Sequence, residues 1–239
     1  MILYNVKDIF MKVCVFGDSI VKGVIYDSKK QRYSMLKDNF INMIQQHSNI
    51  EIESIACFGC TITKGMNLLE KVENELKNYD YTFLEFGGND CDFNWAAVAE
   101  NPDINHDCNT PIEDFKEKYI YMIKKIQAAG SRPVLVTLPP IDSKRFFNWV
   151  SKGLDKEKIL GFLGDVEHIG RWQSMYSDAV KQISKLFNLP LFDIRSIFFN
   201  QKNSITDYLC EDGIHPNKEG HKLIYRAIAE RTSLVPMMV

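Results

Sequence analysis

The chain has 239 residues, 45% hydrophobic and 25% charged, with 29 basic against 31 acidic side chains and a formal charge of −2. That apolar share supports a substantial core and is too high for a disordered chain, while the near balance of charge lacks the basic excess of a nucleic-acid surface. No apolar run reaches the roughly 18–20 residues of a membrane span, and six cysteines are too few for a disulfide scaffold. These exclusions leave a small molecule as the expected partner.

The opening stretch MILYNVKDIFMKVCVFGDS has no compact apolar segment ending in a small-residue cleavage site, so no secretion signal is read. Residues 1–10 read as a short appended arm. A cytoplasmic location with reduced thiols is the matching expectation.

Short apolar runs then alternate with amphipathic segments. Lys12–Phe16 reads as a buried strand stopped by Gly17. Tyr33–Gln46 reads as a helix, with Leu36, Phe40, Met43 and Ile44 on one face. Ile50–Ala56 is a second strand, Lys64–Asn78 a helix, and Tyr81–Phe86 a third strand ended by Gly87 and Gly88. Pro111–Ala129 carries a stripe of Phe115, Tyr119, Met122 and Ile126; Thr110 is placed to cap it and Gly130 to end it. Pro133–Leu138 is a fourth strand, Trp172–Phe187 a helix, Leu191–Ile194 a short fifth strand, and Lys218–Arg231 the last helix. Strands alternating with helices of this length predict an α/β domain whose parallel sheet is covered on both faces. No repeat or linker interrupts the pattern, so residues 1–239 read as one domain. Ile141–Gly170 breaks the rhythm and reads as an elaborated loop or lid with short helices; its aromatic cluster from Phe146 to Trp149 reads as packing rather than a dedicated acyl pocket.

In an open parallel sheet, ligands gather beyond the carboxyl ends of the strands. The residues found there are Gly17-Asp18-Ser19, Phe58-Gly59-Cys60, Gly87-Gly88-Asn89-Asp90 and, before the last helix, Asp212-Gly213-Ile214-His215-Pro216. A serine hydroxyl becomes a useful nucleophile when an imidazole takes its proton, and the imidazole needs an acceptor on its other nitrogen. Asp212 can supply that acceptor if the chain turns at Gly213. The negative oxygen of a tetrahedral intermediate needs fixed donors: the backbone N–H of Ser19 and Gly59, and the side-chain amide of Asn89.

FGDSI at Phe16–Ile20, Gly59, GGND at Gly87–Asp90 and DGIHP at Asp212–Pro216 together resemble the four blocks of the SGNH (GDSL-type) hydrolase superfamily, in order and across almost the whole chain. Ile20 stands where leucine is common, a volume-conserving difference. The resemblance implies a three-layer α/β/α, flavodoxin-like domain with a five-stranded parallel sheet. It also implies an ester hydrolase with Ser19 as nucleophile, Asp212 and His215 as its partners, and Ser19, Gly59 and Asn89 as the oxyanion hole. Neither metal nor organic cofactor is expected. Small acyl esters or acetylated sugars are the expected substrates.

Other readings of the same residues are weaker. Ser19 could simply cap a helix, Asn89 could be a turn residue, and Asp18, Asp90 and Asp92 could gather a cation, though no phosphate-cradling glycine loop accompanies them. His221 reads as a surface or satisfied histidine, and His47, His106 and His168 have no partner pattern. Cys57 and Cys60 form a CxxC that could be a redox pair; core thiols flanking the glycine fit better, and a zinc half-site would need a second pair. A non-catalytic binding module on the same scaffold is the remaining alternative.

Overall fold

The computed structural model describes residues 11–232; the proposed arm at residues 1–10 lies outside them. The first strand, β1 (Met11–Gly17), shows how the sheet is buried. Its Cys14 and Phe16 enter one core cluster and its Val13 and Val15 another. Alternate side chains therefore leave opposite faces, and a run with no polar side is stable only when covered on both.

Two short strands follow, β2 (Val24–Asp27) and β3 (Arg32–Met35), then β4 (Ile50–Ala56), β5 (Tyr81–Leu84), β6 (Arg132–Val136) and β7 (Leu191–Phe192). The main sheet has five strands in the order β4-β1-β5-β6-β7, and every pairing is parallel. Counted within that sheet the order is 2-1-3-4-5, the flavodoxin-like arrangement, which places its switch point beside β1. One face is covered by α3 (Ile62–Lys71), α5 (Ile112–Ala128) and α8 (His168–Leu186), whose Leu69, Met122 and Val180 join Phe16 and Leu84. The other face is covered by α1 (Ser19–Lys22), α2 (Phe40–His47), α9 (Ile194–Phe199) and α10 (Lys218–Thr232), through Val21, Ile44, Phe198 and Ile224.

A third, smaller cluster lies apart from both faces. It joins α4 (Trp95–Glu100), α6 (Ser143–Val150) and α7 (Lys156–Leu163), with Trp95, Phe146, Ile159 and Leu163 at its centre. The segment 141–170 is thus two short helices with a core of their own, each opened by an aspartate cap, Asp142 and Asp155.

Several boundaries differ from the sequence reading. The helix expected over Tyr33–Gln46 begins only at Phe40, where the Asn39 side chain accepts the Asn42 N–H. Tyr33 instead belongs to an antiparallel hairpin, paired with Tyr26 across β2 and β3. An isolated four-residue strand carries too little pattern to compete with a helical stripe, and the hairpin is visible only through its partner. The helix expected over Lys64–Asn78 breaks at Val72 and continues as a 3-10 turn, Glu73–Asn78. Thr110 does not cap α5; Pro111 takes the cap position without a side-chain bond, and Glu113 and Asp114 supply negative charge in the first turn. The remaining strands and helices lie within a few residues of their expected places. Among the described residues no helix is long and apolar enough to cross a membrane.

Candidate active site

The chain leaves β1 through Gly17 and turns sharply into α1. Asp18, rather than Ser19, caps that helix: its Oδ1 accepts the Ile20 N–H at 2.8 Å. Ser19 is thereby free of a capping role and stands at the first helical position, with its hydroxyl 2.9 Å from His215 Nε2.

The loop before α10 explains why an aspartate three residues ahead of a histidine can serve it. Asp212 Oδ1 accepts the backbone N–H of both Ile214 and His215, each at 3.1 Å, so the carboxylate folds its own turn. The second oxygen, Oδ2, is then aimed at His215 Nδ1, 2.6 Å away. Gly213 makes the turn possible at a φ of +79°, and a Cβ there would sit 2.7 Å from the Asp142 carbonyl and the Phe146 N–H. The loop is closed by the bond from Cys210 N–H to the His215 carbonyl at 2.8 Å. Asp212 has no exposed surface and His215 only 3%. Despite the burial, which raises a carboxyl's pKa, bonds to His215 and to the two backbone N–H groups hold Asp212 below the ordinary carboxylate range.

The expected oxyanion donors line the same cleft as Ser19 and His215. Among the described residues no acceptor is bonded to the backbone N–H of Ser19 or Gly59. Gly59 sits at a φ of +64° with open space where a Cβ would be, so its backbone faces the cleft unshielded. Asn89 Nδ2 donates to Asp18 Oδ2 at 2.9 Å and makes a longer contact, 3.3 Å, with the Cys60 carbonyl. The short bond anchors the amide, and the long one is the N–H a developing charge could draw away.

The three acidic side chains considered for a cation have other duties. Asp18 holds Ile20 and Asn89, Asp90 accepts the Ile62 N–H at the start of α3, and Asp92 accepts the Trp95 indole N–H at 2.8 Å. Burial pushes Asp90 and Asp92 each up to about 6. His221 is not at the surface: it is fully buried, stacks on Phe40 and accepts the Phe40 N–H at 3.5 Å, and burial lowers it to about 4. His168 lines the cleft and stacks on Trp172.

One expectation is corrected outright. Cys57 and Cys60 are joined in a disulfide, not held as separate thiols, and their Cα atoms lie 5.2 Å apart, within the range a bridge requires. The bond brackets Phe58 and Gly59. Cys14, Cys91, Cys108 and Cys210 are free and buried.

Four residues near the site carry no site role in the sequence reading, although Phe58 and Trp149 are named in it. Tyr33 on the hairpin and Phe58 in the bracketed loop flank the His215 imidazole, with ring centroids at 5.3 and 6.1 Å. Trp149 packs against Tyr26 and Tyr33. Glu85, at the end of β5, is buried next to Asp18. Phe146 has a double place, packed in the third cluster and lining the cleft. The cleft has a volume of about 130 Å³, and its far wall is apolar.

Serine, histidine and aspartate in one bonded chain, beside backbone donors at the carboxyl edge of a parallel sheet, form the arrangement that a serine hydrolase requires. Residues 15–223 match the GDSL-like lipase/acylhydrolase family, and the chain belongs to that family of ester hydrolases. It is similar to the uncharacterized lipoprotein YqeF of Bacillus subtilis (strain 168), 22% identical over 91% of this chain and 88% of that one. Among solved structures it resembles a lipase/acylhydrolase from Enterococcus faecalis, at a TM-score of 0.63 and 18% identity over 92% and 94% of the two chains. An acetylxylan esterase from Geobacillus stearothermophilus aligns at a TM-score of 0.63 and 14% identity, over 92% and 93%. At such identities the solved structures establish the shared fold.

Proposed function

We propose that the protein cleaves small carboxylic esters through an acyl-enzyme on Ser19. The observation that carries this reading is the chain of bonds from Ser19 Oγ to His215 Nε2 and from His215 Nδ1 to Asp212 Oδ2, at 2.9 and 2.6 Å. As Ser19 attacks the carbonyl carbon, His215 takes the hydroxyl proton at Nε2 and becomes an imidazolium. Asp212 fixes the tautomer and stabilises that charge without taking the proton. The carbonyl oxygen gains a negative charge and is met by the N–H groups of Ser19 and Gly59 and by the Asn89 amide. Collapse of the intermediate expels the alkoxide, which His215 protonates. Water then repeats the sequence, losing its proton to His215, and releases the acid and free Ser19.

A cleft of about 130 Å³ supports a short acyl group. Acetylated sugars and short-chain esters are the substrates we propose. The test is a chromogenic ester panel from acetyl to decanoyl, together with acetylated xylo-oligosaccharides, with Ser19→Ala as control. The expected result is turnover that peaks at two to four carbons and disappears in the control. Turnover surviving Ser19→Ala would defeat the mechanism, and a peak at long chains would defeat the substrate class.

The Cys57–Cys60 disulfide favours one second reading, thiol–disulfide exchange at the same edge. Replacing both cysteines by alanine separates the two: ester hydrolysis that persists in the double variant assigns the bridge to holding the Gly59 loop, and its loss alongside retained disulfide reductase activity in the parent would favour exchange.

A further inference from the structure

Behind the oxyanion asparagine lies a second acidic group that the reaction does not use directly. Glu85 is 1% exposed, and among the described residues no N–H or O–H donor reaches either of its carboxyl oxygens with bonding geometry. What lies alongside is Asp18, through both its backbone and its carboxylate. The space is tight: a Cβ on the neighbouring Gly17 would lie 3.2 Å from Glu85 Oε2. The other groups facing Glu85 are Asp90 and the Tyr119 phenol, and Tyr119 already donates its hydroxyl to the Leu84 carbonyl. His215 faces Asp18 from the far side.

Two carboxyls in contact, both almost fully buried and with no cationic side chain bonded to either among the described residues, cannot both carry a negative charge. One must hold a proton, and their bonding decides which. Burial raises Asp18 as well, but the Ile20 N–H it accepts, the His215 side chain it faces and the Asn89 amide it accepts all favour its ionised form. Glu85 has only the Asp18 backbone N–H alongside it as support; burial, and then the negative charge of Asp18, outweigh that and raise it well above the usual carboxyl range. With the proton on Glu85, its O–H gains an acceptor in the Asp18 carboxylate, and Asp18 gains a third hydrogen bond.

We propose that Glu85 is a positioning residue: its carboxyl O–H donates to the Asp18 carboxylate, and this bond fixes Asp18 as the anchor of the Asn89 amide in the oxyanion hole. The proposal rests on the acyl-enzyme reading above. Glu85 touches neither substrate nor Ser19; it acts through Asp18 on the angle at which Asn89 presents its N–H. Loss of that donor leaves Asp18 partly unpaired, free to rotate and to carry the amide with it.

The experiment compares Glu85→Gln, Glu85→Leu and each combined with Asn89→Ala, on a short-chain ester. Glutamine keeps a donor and cannot ionise; leucine keeps the volume and has no donor. Glu85→Leu is expected to lower kcat about 10-fold to 10²-fold with KM little changed, the scale for misplacing a reacting-site group. Glu85→Gln is expected to recover to within about threefold of the parent. In the Asn89→Ala background the leucine penalty should vanish, because the amide it acts through is gone. Equal impairment by glutamine and leucine would show that a negative charge is required and would overturn the proposal. So would a leucine penalty that persists without Asn89.

A carboxyl carbon-13 titration, with Glu85→Gln to assign the resonance, is independent of turnover. A neutral Glu85 at pH 7, with the Asn89 side-chain amide signals displaced in Glu85→Leu, supports the proposal even if no tested ester is cleaved. In that case the acyl-enzyme reading alone fails. An ionised Glu85 at pH 7 overturns the proposal whatever the kinetics.

Discussion

On one side of the cleft, Ser19, His215 and Asp212 are joined by bonds of 2.9 and 2.6 Å, and the loop that carries His215 and Asp212 is closed by three more bonds from backbone N–H groups. On the other side, Ile141, Phe146, Leu163 and Ile169 form a wall held by contact with the third core cluster. Directional bonds tolerate little displacement, whereas apolar packing tolerates changes of shape at a cost that scales with the area or volume removed. In the proposed mechanism this difference is a division of labour: chemistry falls to the bonded side, where the sequence blocks lie, and choice of substrate to the packed side, where no block lies.

Substitutions on the bonded side should therefore strike kcat hard. Asp212→Asn preserves the shape of the turn but offers His215 Nδ1 the wrong partner; a fall in kcat of about 10⁴ is expected, with folding intact by circular dichroism. Asn89→Ala removes one oxyanion donor, and steady-state kinetics should give a fall in kcat of about 10²–10³ with little change in KM. An unchanged rate would remove the asparagine from the mechanism. On the packed side, Phe146→Ala should leave kcat for acetyl esters within a few-fold and raise the relative kcat/KM for hexanoyl esters about tenfold, by deepening the slot. A drop on the scale of Asn89→Ala would erase the distinction between the two walls.

The last effect concerns stability alone. His221, buried and lowered to about 4, sits behind the bonded side. In the unfolded chain it titrates near 6.5, so between those values the unfolded state binds the extra proton. Its neutral form thus favours the fold fully above pH 6.5, and the fold loses that support as pH falls toward 4. Asp90 and Asp92, raised to about 6, titrate with the opposite sign. The difference between the parent and His221→Leu isolates the histidine: in urea melts the parent should lose roughly 3 kcal/mol relative to the variant between pH 7 and 4. A constant difference would mean that His221 is not buried neutral.

Much of this was legible in the residues. The apolar runs predicted the five parallel strands because the central ones are buried on both faces while the edge strand β4 keeps a partial alternation, and Asp212 and His215 were legible as a pair because three residues span one self-capping turn. Tyr33 was misplaced, since a hairpin depends on a partner strand that a local pattern does not contain. The Cys57–Cys60 bridge is not legible there: the expectation of reduced thiols follows from compartment, while bond formation depends on how closely the loop brings the two residues. Glu85 left no trace as a site residue: at the end of an apolar strand it carries no motif, and its role arises only from the burial of Asp18 against it.

In the proposed mechanism Ser19 Oγ is the atom acylated. Treating the protein with a p-nitrophenyl alkylphosphonate and locating the adduct by peptide mass spectrometry tests this. One stoichiometric adduct is expected on the peptide bearing Ser19, absent in Ser19→Ala and strongly slowed in His215→Ala. An adduct on another residue, or none while ester hydrolysis proceeds, would contradict it.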